Sequence, residues 1–289
     1  MVGDNEGGKL ADGGRVVSFV NLVVEAEEMK RWLAIVGVFW LGMVASWSVV
    51  EEKKEVVFCN VGQGDGMVAI DGSNQLVVDV GPDNGRMVEC LASEMGWRDR
   101  DIEAVVITHA DSDHMGGLIR LLEAYRVKKV LIGGRDKEVF EQLNYPVEKV
   151  GVGDKIHLGQ MEYEIVSDSS GDGTKAGGDN ETGLVGVLRY GTIEAWLMAD
   201  ADTEVERKLV WRGLLGLDPG KLRILKIGHH GSGTSTSQEI LEAIRPEEAV
   251  VSVGKNNFGH PAAEVIERLG KMGIKIRRTD KEGAIRYRL

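Results

Sequence analysis

Residues 108–117 read "THADSDHMGG" and place His109, Asp111, Asp113 and His114 within six consecutive positions. The preceding "IEAVVI" has the β-branched character of a buried strand, so His109 and Asp111, at i and i+2, leave an extended chain on the same side. Asp113 and His114 then turn across the start of the next helix. Four such donors in one small volume suit two divalent cations about 3.5–4 Å apart, the first facing His109 and Asp111 and the second facing Asp113 and His114. Gly116 and Gly117 let the following helix approach with no Cβ in the way. Taken alone, the stretch also reads as a helix start with Asp113 as N-cap and two surface histidines.

The other histidines shift that balance. Of six in the chain, His229 and His230 stand in "LKIGHHGSGTSTS" and His260 in "NNFGHP", again where a strand gives way to a loop; only His157, in the turn-like "GDKIHLG", has an ordinary context. Histidines gathered at strand ends are what a metal or catalytic site requires. Asp200, closing "WLMAD", is the further carboxylate with which two metals are bridged, and Asp79, closing "LVVDVG", is placed to fix a histidine tautomer or the loop behind the ligands. An Asp turn before Gly81-Pro82 explains Asp79 equally well. Cys59 and Cys90 are too far apart for a thiolate metal motif; they are read as buried apolar residues, with a disulfide as the alternative.

Positioning these groups takes an α/β domain. "EVVFCNVGQGD", "QLVVDVG", "IEAVVITHAD", "KKVLIGG", "IEAWLMAD", "LRILKIGHHG" and "EEAVVSVG" each read as a buried strand entering a loop of Gly, Asp or His. Between them "NGRMVECLASEMGW", "GGLIRLLEAYRV", "TEVERKLVWRGLL", "SQEILEAIRP" and "PAAEVIERLGKMG" have the three-and-four apolar spacing of helices. "SDSSGDGTKAGGDNETG", Ser167–Gly183, reads as a solvated connector. With 289 residues, 43% of them hydrophobic, the chain can bury one substantial core. A formal charge of -11 argues against a broadly basic nucleic-acid surface and leaves room for a local positive groove, for which Lys226, Lys255, Arg277 and Arg278 are the candidates. One segment departs from the soluble pattern: "WLAIVGVFWLGMVASWSVV", Trp32–Val50, is uncharged and about as long as a bilayer-spanning helix requires, with Trp32 and Trp47 toward its ends. The expected organisation is therefore a disordered leader or mis-assigned start over 1–28, a signal anchor or transmembrane helix over 29–50 beginning at Met29, a linker over 51–55 and a hydrolase domain over 56–289. The domain is then anchored outside the membrane, or secreted if the segment is cleaved after Ala45, Ser46 or Ser48.

"HADSDHMGG" resembles the HxHxDH signature of the metallo-β-lactamase superfamily with its second histidine replaced by Asp111, and "NVGQGD", "VVDVG", "LMAD", "LKIGHHGSGTS" and "SVGKNNFGHP" follow in the order of the extracellular domain of the ComEC competence proteins. The resemblance runs from Val56 to the C-terminus. It implies a four-layer αββα sandwich with a dinuclear site at one edge of two sheets, in a family thought to degrade one strand of incoming DNA while a polytopic channel passes the other. Departures are Asn60 before "VGQGD", where the family usually has Asp, and Ala199 for the Gly before Asp200; no channel segment is present, so the chain would serve a separate membrane channel or none. The histidine that many superfamily enzymes place between the signature and the bridging Asp has no counterpart. His109, Asp111 and Asp200 then form an oxygen-rich set, and Asp113, His114 and one of His229 or His230 a second, which together favour two manganese or zinc ions over iron. His260 and the non-ligand of the 229/230 pair are candidates for phosphate contact or general acid, and Gln63, Asp65, Ser232, Thr234 and Ser235 for the cleft lining. The leading expectation is a metal-dependent nuclease acting on DNA outside the cell; the alternatives are a hydrolase of another small phosphodiester or phosphorylcholine-like substrate, and a non-catalytic subunit of a DNA-uptake channel. Asp111 and the "GHHGS" context point away from β-lactam hydrolysis.

Overall fold

The computed structural model describes residues 29–40, 53–96, 98–133, 140, 145–168, 183–213 and 218–289. Contacts divide the chain into two units, Met1–Glu51 and Glu52–Leu289. In the first, residues 29–40 form a helix whose side chains are almost all exposed. No helix among the described residues is long and apolar enough to cross a membrane, which leaves the expected span over 29–50 without structural support; its residues 41–50 and the expected leader over 1–28 lie outside the described residues. The connector Ser167–Gly183 lies mostly outside them too, at 169–182.

The second unit is built on two seven-stranded sheets. The first runs, in spatial order, β16 (Ile285–Arg288), β1 (Lys54–Phe58), β2 (Gly66–Asp71), β3 (Asn74–Val80), β5 (Ala104–Ile107), β7 (Val130–Ile132) and β8 (Val147–Lys149). The second runs β15 (Lys275–Arg278), β14 (Glu248–Val251), β13 (Leu222–Lys226), β12 (Ile193–Leu197), β11 (Leu184–Tyr190), β10 (Met161–Asp168) and β9 (Lys155–Leu158), and β4 (Asp101–Ile102) pairs with β6 (Arg126–Val127) beside them. Each sheet joins antiparallel neighbours, β1-β2-β3 and β9-β10-β11-β12, to a parallel run, β3-β5-β7-β8 and β12-β13-β14-β15.

The two-residue period of a strand lets one segment fill two layers. Val56, Phe58, Met67, Ala69, Leu76 and Val78 share one core with Tyr163, Leu188 and Ile224 of the other sheet. Their neighbours Val57, Cys59, Val68, Ile70 and Val77 face the opposite way, onto Met87 and Leu91 of helix Arg86–Glu94 and Leu118 and Leu121 of helix Leu118–Ala124. On the far side, Val185, Val187, Trp196 and Leu225 meet Val205, Leu209, Ile240, Leu241, Val265 and Leu269 from helices Thr203–Trp211, Gln238–Ile244 and Ala263–Lys271. Each large side chain buried this way contributes about 1.5–3 kcal/mol, and its alternation along the strand also pins the register.

The reading of Cys59 and Cys90 as simply buried apolar residues gives way to its alternative: they form a disulfide, with Cα atoms 6.0 Å apart. The reason lies in the same alternation, which turns Cys59 with Val57 to the outer face, where Cys90 arrives on helix Arg86–Glu94. The bond closes a loop of 31 residues' separation. Chain entropy sets its worth at about 4 kcal/mol, and at roughly 2–4 °C per kcal/mol for a domain of this size, reduction or the Cys59→Ala/Cys90→Ala pair is expected to lower Tm by roughly 10 °C. Thermal melts with and without reductant check this; identical melts would show that the bond does not constrain the unfolded chain.

Candidate metal centre

The site is assembled where the parallel strands end, the edge at which an open α/β sheet presents its functional groups. Asp79 stands in β3, His109 two residues beyond β5, Asp200 three beyond β12, Lys226 at the end of β13 with His229 and His230 following, and Ser252 directly after β14. Helix Ser112–Met115 carries Asp113 and His114. Two glycines permit the close approach: a Cβ on Gly117 would lie 2.6 Å from the Val80 carbonyl oxygen, and one on Gly64 would clash with that of Asp113. The second contact seats the "NVGQGD" loop against the signature, where Asp65 N donates to Asp113 O at 3.0 Å.

Local backbone strain concentrates here. Asp79, Ala199, His229 and His230 all have φ between 46° and 56°. Non-glycine residues hold such a conformation at a cost of order 1–3 kcal/mol only where surrounding contacts over-determine it. Ala199 holds the position of the usual glycine, and its carbonyl accepts from His229 N at 2.9 Å and Lys226 Nζ at 3.3 Å. The histidine loop is fixed further on by Glu206, whose carboxylate accepts from Thr236 N (2.6 Å) and Ser237 N (2.7 Å).

The two oxygens of Asp200 face different partners. Oδ1 lies 3.1 Å from His114 Nε2 and 3.8 Å from His230 Nε2; Oδ2 lies 3.7 Å from His229 Nε2 and 3.9 Å from His109 Nε2. On the first side, Asp113 Oδ2 is 3.1 Å from His230 Nε2; on the second, Asp111 Oδ2 is 3.5 Å from His109 Nε2. Behind them, Asp79 Oδ2 meets His114 Nδ1 at 2.8 Å while its carboxylate accepts from Thr108 N and Oγ1, both at 2.8 Å. That arrangement fixes the His114 tautomer, the role expected of Asp79, and leaves Nε2 to face the site. His230 Nδ1 is held by the Ser252 carbonyl at 3.0 Å, which turns its Nε2 inward in the same way.

Charge is balanced within the cluster. Burial alone would lower the His114 pKa, but Asp79 and Asp200 on its two nitrogens outweigh burial and hold it well above the usual imidazole range. The same contest leaves His230 at about 9, with burial opposed by Asp65 and Asp113. Burial would raise Asp65 and Asp200, yet Lys226 and His230 for the first and His114 for the second keep both carboxyls well below the ordinary range. These are carboxylates and imidazolium protons in the places where carboxylates and metal cations would pair.

The residue types present fit divalent cations. Donor atoms of His109, His114 and Asp200 lie within 4.8 Å of one another, as do those of Asp113, His114 and His230, and of Asp65, Asp200 and His230. His109 Nε2 is buried with no hydrogen-bond partner among the described residues, although it points toward two carboxylates. An orphaned imidazole nitrogen inside a nitrogen-and-oxygen donor set is what a ligand lacking its metal presents.

Among the expected site residues, His109, Asp113, His114, Asp200 and His230 converge and are largely buried, whereas Asp111 lies at the exposed rim. His229 sits at the mouth between Asp200 and His260, 5.5 Å from the latter's ring centroid. Gln63 Oε1 accepts from Gly254 N at 3.3 Å, closing one wall of the cleft, and Thr234 is exposed beside Ser232, whose hydroxyl is 3.0 Å from its own. Ser235 does not line the cleft: it is fully buried and its hydroxyl donates to the Gly228 and Ser232 carbonyls, because it closes the turn that carries the histidines. The expected phosphate track is also corrected. Lys226 is buried in an ion pair with Asp65, Arg277 pairs with Glu282 and Arg278 with Asp280, so of the four cations only Lys255 is exposed and outside an ion pair among the described residues. His157 is an exposed residue of β9, as its context implied.

Asp65 and Lys226 stand at the centre of the cluster, more central than the sequence reading placed either. The signal existed for Lys226: in "LRILK" it is two residues after Ile224 and so shares the face turned toward the other sheet.

The family model described as "Metallo-beta-lactamase superfamily" matches residues 59–255. Among curated proteins, ComE operon protein 3 of Bacillus subtilis is 30% identical over 200 residues, covering 65% of this chain and 25% of that protein. Competence protein ComA of Neisseria gonorrhoeae is 30% identical over 248 residues, covering 84% and 33%. The chain thus spans a quarter to a third of the length of these relatives. Of solved structures, the metallo-β-lactamase-fold protein YhfI from Bacillus subtilis superposes with a TM-score of 0.56 at 12% identity, over 81% of this chain and 99% of that one. CmlA, a diiron β-hydroxylase from Streptomyces venezuelae, gives 0.56 at 16% over 83% and 55%. At these identities the structural likeness speaks for the fold alone.

Proposed function

The chain belongs to the metallo-β-lactamase superfamily, with ComEC-like competence proteins among its relatives, and from that premise we propose that it is a two-metal phosphodiesterase that cuts DNA outside the cytoplasmic membrane. The observation that carries the reading is Asp200, each of whose oxygens faces two of the four imidazoles around it. His114, His230 and Asp113 would hold one cation, His109 and Asp111 with His229 the other, and Asp200 would stand between them. Manganese or zinc suits the mixed nitrogen and oxygen donors. Bound there, a pair of divalent cations supplies Lewis acidity toward a phosphoryl oxygen and a source of nucleophilic water at neutral pH.

The chain's own residues do the rest. Asp79 and the Ser252 carbonyl orient the two inward imidazoles, and Lys226 balances Asp65 beneath them. His260 lies at the mouth with Nδ1 buried and without a hydrogen-bond partner among the described residues; burial and the neighbouring histidines His229 and His230 lower its pKa. The shift favours the neutral imidazole, whose ring N–H can contact a phosphate oxygen. The disulfide supports an extracytoplasmic location, since such bonds persist in oxidising compartments. A separate membrane channel is the partner that DNA uptake would require.

One observation favours a smaller substrate: Lys226, Arg277 and Arg278 are held in ion pairs and form no cationic track. The deciding experiment presents the Mn²⁺-loaded protein with end-labelled single-stranded DNA and, in parallel, with bis(p-nitrophenyl) phosphate. Cleavage of DNA with little sequence preference is expected, because a site that grips phosphates carries no base code. Intact DNA together with hydrolysis of the small diester would replace the nuclease by a small-phosphodiester hydrolase on the same centre.

A further inference from the structure

We infer that Phe258 is a stacking platform for the nucleobase next to the scissile phosphate, which makes the substrate an unpaired strand. The inference rests on the nuclease reading above. A single exposed aromatic is ordinary surface. Three features set this one apart.

Its position comes first. Phe258 is 75% exposed, and its ring lies 5.8 Å from the His260 ring at a 31° tilt. His260 in turn packs 5.5 Å from His229, edge to face, and His229 Nε2 is 3.7 Å from Asp200 Oδ2. A line of three rings therefore leads from the bridging carboxylate to the surface, and its outermost member is apolar. The second feature is rigidity. Asn256 Oδ1 accepts from both Phe258 N and His260 N at 3.1 Å, and Asn256 Nδ2 donates to the Gly254 and His260 carbonyls at 2.9 Å. One side chain thus ties four points of a short loop, so an apolar ring is presented to water on a turn that is held in place rather than free to fold it inward. Pre-organisation of this kind lowers the entropy cost of binding a planar ligand. The third feature is charge: Lys255, on the same loop, is exposed and has the sign to meet a neighbouring phosphate.

Together these suit a nucleotide whose phosphate enters the cluster past His260 while its base lies on Phe258. Every base has a π-face, so the platform adds affinity without sequence preference, and a base inside a duplex is already stacked and cannot use it.

The test measures KM and kcat for wild type, Phe258→Ala and Phe258→Trp, Mn²⁺-loaded, on a single-stranded oligonucleotide and on the same backbone carrying abasic sites throughout. Stacking on an aromatic side chain is worth about 5- to 150-fold per base, so Phe258→Ala is expected to raise KM on the normal strand by a factor in that range and Phe258→Trp to restore it. On the abasic strand the three proteins should converge. Metal content, measured by elemental analysis, should match in all three, which separates a lost platform from a disturbed centre. Equal KM changes on normal and abasic strands, or none on either, would overturn the inference while the nuclease reading stands. A wild type that cleaves neither strand but hydrolyses bis(p-nitrophenyl) phosphate would overturn the nuclease reading itself, and the platform with it.

Discussion

Asp200→Ala is expected to abolish hydrolysis, with kcat/KM falling about 10³-fold or more, and to leave the protein with less bound divalent metal than the wild type. The expectation follows from the division of labour between the two carboxylate oxygens. Oδ1 serves His114 and His230 while Oδ2 serves His109 and His229, so truncation takes a ligand from both halves of the centre at once. It also takes the carboxylate from the Nε2 side of His114, leaving Asp79 on Nδ1, and removes the negative charge that offsets a buried imidazolium or a metal in its place. Conservative replacement by Asn keeps the shape but not the charge and should recover little. Elemental analysis and steady-state kinetics on bis(p-nitrophenyl) phosphate check both halves of the statement. Activity within tenfold of wild type would mean that Asp200 shapes the loop and does not hold metal, and the bridging role would pass to Asp65, which shares a donor group with Asp200 and His230.

The elements that build the site were the ones most legible in the sequence, because a strand buried on both faces reads as an apolar run and its functional end as Gly, Asp or His. β1, β3, β5, β7, β12, β13 and β14 all carry that pattern, and with them came His109, His114, Asp200 and the His229–His230 pair. β9, β10, β15 and β16 do not: "KIHL", "MEYEIVSD", "KIRR" and "IRYR" mix charged or polar with apolar residues, since one of their faces is wet or ion-paired. β16 returning to pair antiparallel with β1, with Tyr287 opposite Val56, is a contact between chain ends that no local pattern encodes. The disulfide was hidden for a related reason: which helix face meets which strand face is a tertiary fact, and a 31-residue separation says nothing of it. Asp65 and Lys226 were undervalued because a Gly-rich turn and a strand-end lysine are each common; what singles them out is that they meet across the two sheets, 161 positions apart.

That meeting carries the second large expectation: Lys226→Met should destabilise the metal-free protein by about 3–5 kcal/mol, the cost of leaving a buried charge without its partner. Both side chains are under 10% exposed. What remains for Asp65 is weaker: its Oδ1 accepts no hydrogen bond among the described residues, and the nearest imidazole, His230 at 3.3 Å, shares that nitrogen with the Ser252 carbonyl. The methionine matches the lysine stem in volume and creates no cavity beside Leu197 and Phe58, so the loss reads electrostatics and not packing. Asp65→Asn alone should cost a comparable amount by stranding the ammonium, while the double variant Asp65→Asn/Lys226→Met should cost much less than the sum of the two, because neither charge then remains. Urea unfolding of the four proteins in chelator measures the coupling. A Lys226→Met cost below about 1 kcal/mol would be at odds with a buried carboxylate left unpaired; it would mean that Asp65 takes up a proton when its partner is gone, in which case Asp65→Asn should be nearly neutral in the Lys226→Met background although it still strands the ammonium when Lys226 is present. The two patterns differ in whether Asp65→Asn stabilises the Lys226→Met background or leaves it unchanged, so the cycle distinguishes a structural ion pair from a titrating acid beneath the metals.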